Sequence, residues 1–282
     1  MATQNILLNS SNIVSGTNNS RLAYKFPTPQ VYNNSNIAVH SLQLYYSWFN
    51  INKALYNNHQ LQYRWWNNNG ALIKRDVDIP DGFYDVNQLT LYLQSVMLKN
   101  GHYLQDGTGK KYFFIEFVEN PTYYSIQLNM LPMYSSLPNG WSKGGNWKLP
   151  TSQQTAQVNI LSVGNFKDIV GFNAGWQPPT PTSTLYQKIS DYAPQLSPIS
   201  SLVIRCNLAR NDNALPNDII YSFSNGETPW GGIISEKPNE LYYSPVVNGT
   251  FDKLEITFLD QNFNPVDIND PNMLVTLVIK NN

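Results

Sequence analysis

Hydrophobic and polar positions along this chain alternate with a period of two far more often than they recur at helical spacing. The segments 36–49 (NIAVHSLQLYYSWF), 60–66 (QLQYRWW) and 71–79 (ALIKRDVDI) alternate or carry dense aromatics, as strands with one buried face do. NNNG at 67–70 separates the last two and predicts a hairpin. Further strands are predicted at 112–118, 123–131, 157–163, 202–208, 218–223, 241–247, 253–259 and 273–280, divided by Pro, Gly and Asn. So many short strands without interleaved helices predict an all-β fold, an antiparallel sandwich or barrel.

One segment breaks the pattern. In DVNQLTLYLQSVMLKNG, Val86, Leu89, Leu93, Val96 and Met97 share a helical face, Asp85 and Gln88 have capping-box spacing, and Gly101 supplies a stop. A helix over 86–100, packed by one face on a sheet, is expected. Two stretches rich in Pro, Gly and Trp, 132–156 and 173–200, are too long for ordinary connections and are expected to be long loop excursions. Their tryptophans argue against plain disorder.

Composition narrows the function classes. Apolar residues make up 41% of the 282, enough for a core. Charged residues are only 13% and the formal net charge is −1, so no basic face offers a specific nucleic-acid site. No apolar run is long enough for a membrane span, and MATQNILLNSSNIV lacks the basic start and apolar stretch of a secretory signal. A soluble protein synthesised in the cytoplasm is expected. Cys206 is the single cysteine, which excludes an internal disulfide.

The search for catalytic or ligand chemistry yields no catalytic, cofactor-binding or metal residue. His40, His59 and His102 lack the spacing of a metal pair, and His40 lies in an alternating strand. DGTGKK at 106–111 imitates a phosphate loop, yet the glycine spacing fails at Leu104 and Lys110 precedes another lysine. A hairpin turn accounts for it better. Asp260, Asp267 and Asp270 suggest a glycosidase pair or a calcium loop, but DQNFNPVDINDP is also what turns look like when Asp and Asn bond their own backbone. Cys206 in LVIRCNL reads as a buried inert thiol.

The C-terminal third carries an ordered series of elements: CNL at 206–208, DIIYSF at 218–223, PVVNG at 245–249, DQ at 260–261, PVDI at 265–268, DP at 270–271 and a last strand ending in VIK at 278–280. With IPDGFYDVNQLTLYL at 79–93 and FKDIVGF at 166–172, this series resembles the penton, or minor capsid, proteins of virophages and Polinton-type viruses, those of the Mavirus type most closely. The resemblance covers roughly 60–110 and 160–282. It implies a single jelly-roll β-sandwich of two four-stranded antiparallel sheets, with one short helix and long loops, in which the last strand is held between neighbours.

The resemblance also implies a role in assembly rather than turnover. The chain would form a homopentamer, the vertex capsomer of an icosahedral virion, beside a major capsid protein of the double jelly-roll type. Residues 1–18 are expected to be an N-terminal arm and 19–282 one jelly-roll domain. The competing expectation is a carbohydrate-binding or receptor-binding jelly roll that stacks sugars on Trp141, Trp147 and Trp176. An enzyme of the cupin or glycosidase type is disfavoured.

Overall fold

The computed structural model describes residues 3–281. In chain order the principal elements are β1 (Thr3–Asn9), β2 (Arg21–Tyr32), β3 (Ser35–Tyr45), β4 (Gln60–Trp66), β5 (Leu72–Asp78), α1 (Val86–Lys99), β6 (Ile115–Asn120), β7 (Ser125–Met130), β8 (Gln157–Ile160), α2 (Phe166–Val170) and β9 (Gly175–Gln177). They continue with β10 (Tyr186–Ile189), β11 (Leu202–Cys206), β12 (Ile219–Phe223), β13 (Ile233–Glu236), β14 (Gly249–Asp260) and β15 (Met273–Asn281). Every pairing among the strands is antiparallel. The fold is all-β, as the alternation predicts.

The chain divides into two compact units. One is formed by Met1–Trp48 with Ile199–Asn282, the other by Phe49–Pro198.

The first unit is a sandwich of two sheets whose main strands run β1-β15-β3-β13 and β12-β11-β14-β2, the two-residue strand Ser244–Pro245 adding to β3 as a fifth in the first. Numbered by their succession within this unit alone, these are strands 1-8-3-6 and 5-4-7-2, the order of a jelly roll. Alternation places the core between the sheets. Ile6, Leu8, Ile37, Val39, Leu42, Leu44, Val275, Leu277 and Ile279 are buried on one side; Leu22, Ile204, Cys206, Leu254, Ile256 and Phe258 are buried on the other. The crossover from Asp260 to Met273 carries the chain from one sheet to the other. There β15, an apolar strand that would be hazardous at an edge, pairs with β1 and β3 on its two sides. A bulge between Val39 and Ser41 in the β3–β15 ladder leaves His40 unpaired and exposed.

The second unit has its own core. A four-stranded sheet, β9-β8-β4-β5, and a three-stranded sheet, β10-β7-β6, bury Tyr63, Trp65, Val158, Phe117, Leu128 and Phe172 together with Leu89, Leu93 and Met97 of α1. Helix α1 begins as its sequence dictates. Asp85 accepts from the Gln88 backbone N–H, and the Gln88 side chain accepts from the Asp85 N–H. Thr90 on α1 donates to the Phe117 carbonyl and accepts from the Phe117 N–H, which fixes the helix to β6. The NNNG hairpin joins β4 to β5.

Two expectations need correction. The stretch 3–9, read as part of an arm, is strand β1, because Ile6 and Leu8 alternate into the core and the strand supplies the partner β15 would otherwise lack. The single domain read over 19–282 separates instead into the sandwich and the 49–198 unit, since a 150-residue stretch between β3 and β11 closes a core of its own. The stretches 132–156 and 173–200 run mostly without regular structure, as long loops do, yet they anchor side chains and short strands in the second unit. Met133, Trp147 and Ala156 are buried, and β9 and β10 lie within the second stretch.

Candidate functional site

The outer faces of the sandwich differ in kind. On the β2–β14–β11–β12 sheet, register places Arg21 and Arg205 on either side of Thr257. Arg21 Nη2 lies 2.8 Å from Glu255 Oε2, and Lys253 Nζ lies 2.9 Å from Glu255 Oε1. Arg205 grips Asp218 in a two-point pair, Nε to Oδ1 and Nη2 to Oδ2, both 2.7 Å. Burial alone would raise the Glu255 carboxyl, but hydrogen bonds from Lys253 and Arg21 outweigh it and hold the group below its usual range. The hydrogen bond to Asp218 raises Arg205 further. These groups line a recess of about 190 Å³ whose charges are already matched with one another.

The opposite outer face is different. Register aligns Asn9, Leu274, Gln43 and Ser235 in one row and Leu7, Thr276 and Ser41 in another. Neither row carries a charge, and Leu7, Leu274 and Ile233 are exposed. A shallow groove of about 250 Å³ runs among Ser10, Gln43, Tyr45, Ile233, Asn272 and Leu274.

The residues singled out in the sequence are dispersed. Among the described residues no three His, Cys, Asp or Glu side chains come together as metal ligands would. His59 is buried with Nε2 3.4 Å from Asp78 Oδ1. Asp106 is the turn acceptor of its hairpin: Oδ1 receives the Thr108 hydroxyl at 2.7 Å, the Thr108 N–H at 2.9 Å and the Lys110 N–H at 3.0 Å. The Thr108 hydroxyl bond, with the other donors, pulls its carboxyl down to about 2. Its lysines are engaged with rings, Lys110 over Tyr112 and Lys111 over Tyr103.

Asp260 does the same for the last crossover, accepting from the Asn262 and Asn264 N–H groups at 2.8 and 2.9 Å. Asp270 accepts from the Asn272 N–H at 2.8 Å while its own N–H donates to Ser47 Oγ. Both are turn carboxylates, as DQNFNPVDINDP suggests. Cys206 is fully buried, and burial pushes its thiol up to about 12.

Of the three tryptophans proposed as sugar platforms, Trp147 is a core residue whose Nε1 donates to the Gly101 carbonyl at 2.7 Å. Trp176 lies under the Arg64 guanidinium at 3.9 Å, and Trp141 stacks on Tyr112 with ring centres 4.7 Å apart. One ring face of each of these two is therefore covered.

Sequence reasoning missed a buried constellation in the second unit. His102 Nδ1 lies 2.7 Å from the Tyr63 hydroxyl, and Asn100 Nδ2 donates to that hydroxyl at 3.0 Å. Burial, reinforced by the positive charge of Arg75, lowers His102 to about 4, and burial raises Tyr63 to about 12. The one cue was His102 following the helix stop Asn100–Gly101. Its partner lies 39 residues away on β4, where period-two alternation marks only a buried tyrosine.

No protein-family model matches the chain, and no curated protein does. Among solved structures it is similar to the crystal structure of SeMet-labelled mavirus penton protein, which it matches over 99% of its own length and 98% of that chain, at 12% sequence identity and a TM-score of 0.46.

Proposed function

We propose that this chain is a structural capsid protein that closes into a homopentameric vertex capsomer of an icosahedral virion, beside a major capsid protein of the double jelly-roll type. The observation that carries the reading is the strand order 1-8-3-6 over 5-4-7-2 in the first unit, the jelly roll that the penton-like series at 206–280 implied. The turn roles of Asp106, Asp260 and Asp270 and the buried Cys206 are compatible with it. The uncharged rows on the β1–β15–β3–β13 face agree as well, since a neighbouring copy can cover them without desolvating a charge.

Five head-to-tail contacts related by a fivefold axis close a ring. Jelly rolls host many functions, so assembly is what must be tested. Co-expression with a double jelly-roll major capsid protein, followed by cryo-electron microscopy of the particles, should place this chain at the fivefold vertices. Particles whose vertices lack it, together with selective retention of a glycan on an array, would favour the sugar-binding alternative.

A further inference from the structure

The His102 constellation has a built-in direction. Helix α1 ends at Lys99, and Gly101, at φ +70°, turns the chain so that the His102 N–H donates to the Met97 carbonyl at 2.8 Å. His102 is thereby brought inside, 3% exposed. Its ring stacks on Trp65 with centres 5.2 Å apart and planes at 16°. Trp147 closes edge-on against Trp65 at 5.3 Å, tied by its Nε1 to Gly101.

Burial beside Arg75 keeps the His102 imidazole neutral. The Asn100 amide nitrogen can only donate, so it occupies one lone pair of the Tyr63 oxygen and leaves the Tyr63 proton free to bond His102 Nδ1. In that arrangement the ring hydrogen is on Nε2.

A proton added at Nδ1 would face the Tyr63 proton across 2.7 Å and turn that hydroxyl out of its bond. A neighbouring charge worsens the conflict. Arg75 on β5, a cation, stands directly across from Tyr63 in the β4–β5 register and disfavours an imidazolium. Lys143 is held over Trp147 and donates to its carbonyl. The Trp65 face attracts an imidazolium, but burial beside a cation outweighs it and holds the imidazole well below its ordinary range.

We propose that Asn100, Tyr63 and His102 form an acid-sensitive latch that pins the C-terminal end of α1 and the 143–147 segment onto β4 while His102 is neutral and lets them go when it is protonated. This reading does not depend on the capsid role. The sign follows from the depressed imidazole. In the unfolded chain His102 titrates near 6.5 and in the folded chain near 4, so its contribution is complete above pH 6.5 and is lost as pH falls toward 4. Over that window the ratio of latched to released protein should fall by roughly two orders of magnitude.

The test uses the full chain, following the His102 ring by proton NMR and the aromatic cluster by near-ultraviolet circular dichroism from pH 7 to 3. Wild type should keep His102 neutral to below pH 5 and lose the aromatic signal as it titrates. His102→Gln, whose side-chain oxygen can still accept from Tyr63 but cannot titrate, should hold the signal through that range. Tyr63→Phe removes the proton donor to Nδ1 and should move the loss upward by about half to one pH unit. Titration of His102 near 6.5 with the aromatic signal unchanged would overturn the proposal, as would a Gln variant that loses its signal at the wild-type pH. If the Gln variant does not fold, the wild-type titration and the direction of the Tyr63→Phe shift decide.

Discussion

A methyl group at Gly101 would sit 2.7 Å from the Gly144 carbonyl oxygen, on a backbone at φ +70° that L residues avoid. Gly16 has nearly the same φ, +78°, with no atom within 4 Å. The pair separates two costs that a glycine can hide. Gly16→Ala should lower stability by about 1 kcal/mol, the conformational cost alone. Gly101→Ala should lower it by about 2–4 kcal/mol because a backbone carbonyl must also move. Paired chemical denaturation measures both, and equal losses would show that the clash relaxes freely. At this scale the turn carboxylates were legible because their partners lie two to four residues away. His102 was not, because what decides its state is a hydroxyl, an indole and a guanidinium on β4 and β5, which meet it only after the second unit closes.

At the scale of elements, alternation located the long strands β4, β5, β11 and β15 and the capping box located α1, since each signal is local. The edge strands were harder. In TQNILLN only Ile6 and Leu8 are buried, and a strand half open to solvent has too little apolar contrast to stand out from a polar arm. β2 is interrupted by prolines and by a register shift between Lys25 and Gln30, and β13 is four residues long. The consequence is testable for β1. Deleting residues 1–9 uncovers one edge of β15, whose MLVTLVIK sequence is apolar and able to template further pairing. The truncated protein should be less stable and aggregate as concentration rises, as read by turbidity and thermal melting. A truncation as soluble and as stable as the full chain would show that β15 does not depend on this strand for its cover.

For the whole molecule, the jelly-roll order was anticipated by resemblance, while the independence of the 49–198 unit was hidden because its strands carry the same period-two signature as those of the sandwich. Nothing in alternation says which strands share a sheet. The strands of the sandwich come from both ends of the chain, so its core is completed only when β15 inserts between β1 and β3. That arrangement gives a scaffold with an ion-paired outer face on one sheet and uncharged rows on the other.

The claim that this scaffold closes into a ring is tested most directly by the mass of the purified full chain, measured by light scattering across a concentration series. A species of about 160 kDa, five copies of a 32.1 kDa chain, is the predicted result. A mass that stays at one chain up to the highest concentration, in the presence of the major capsid protein as well as alone, would contradict it.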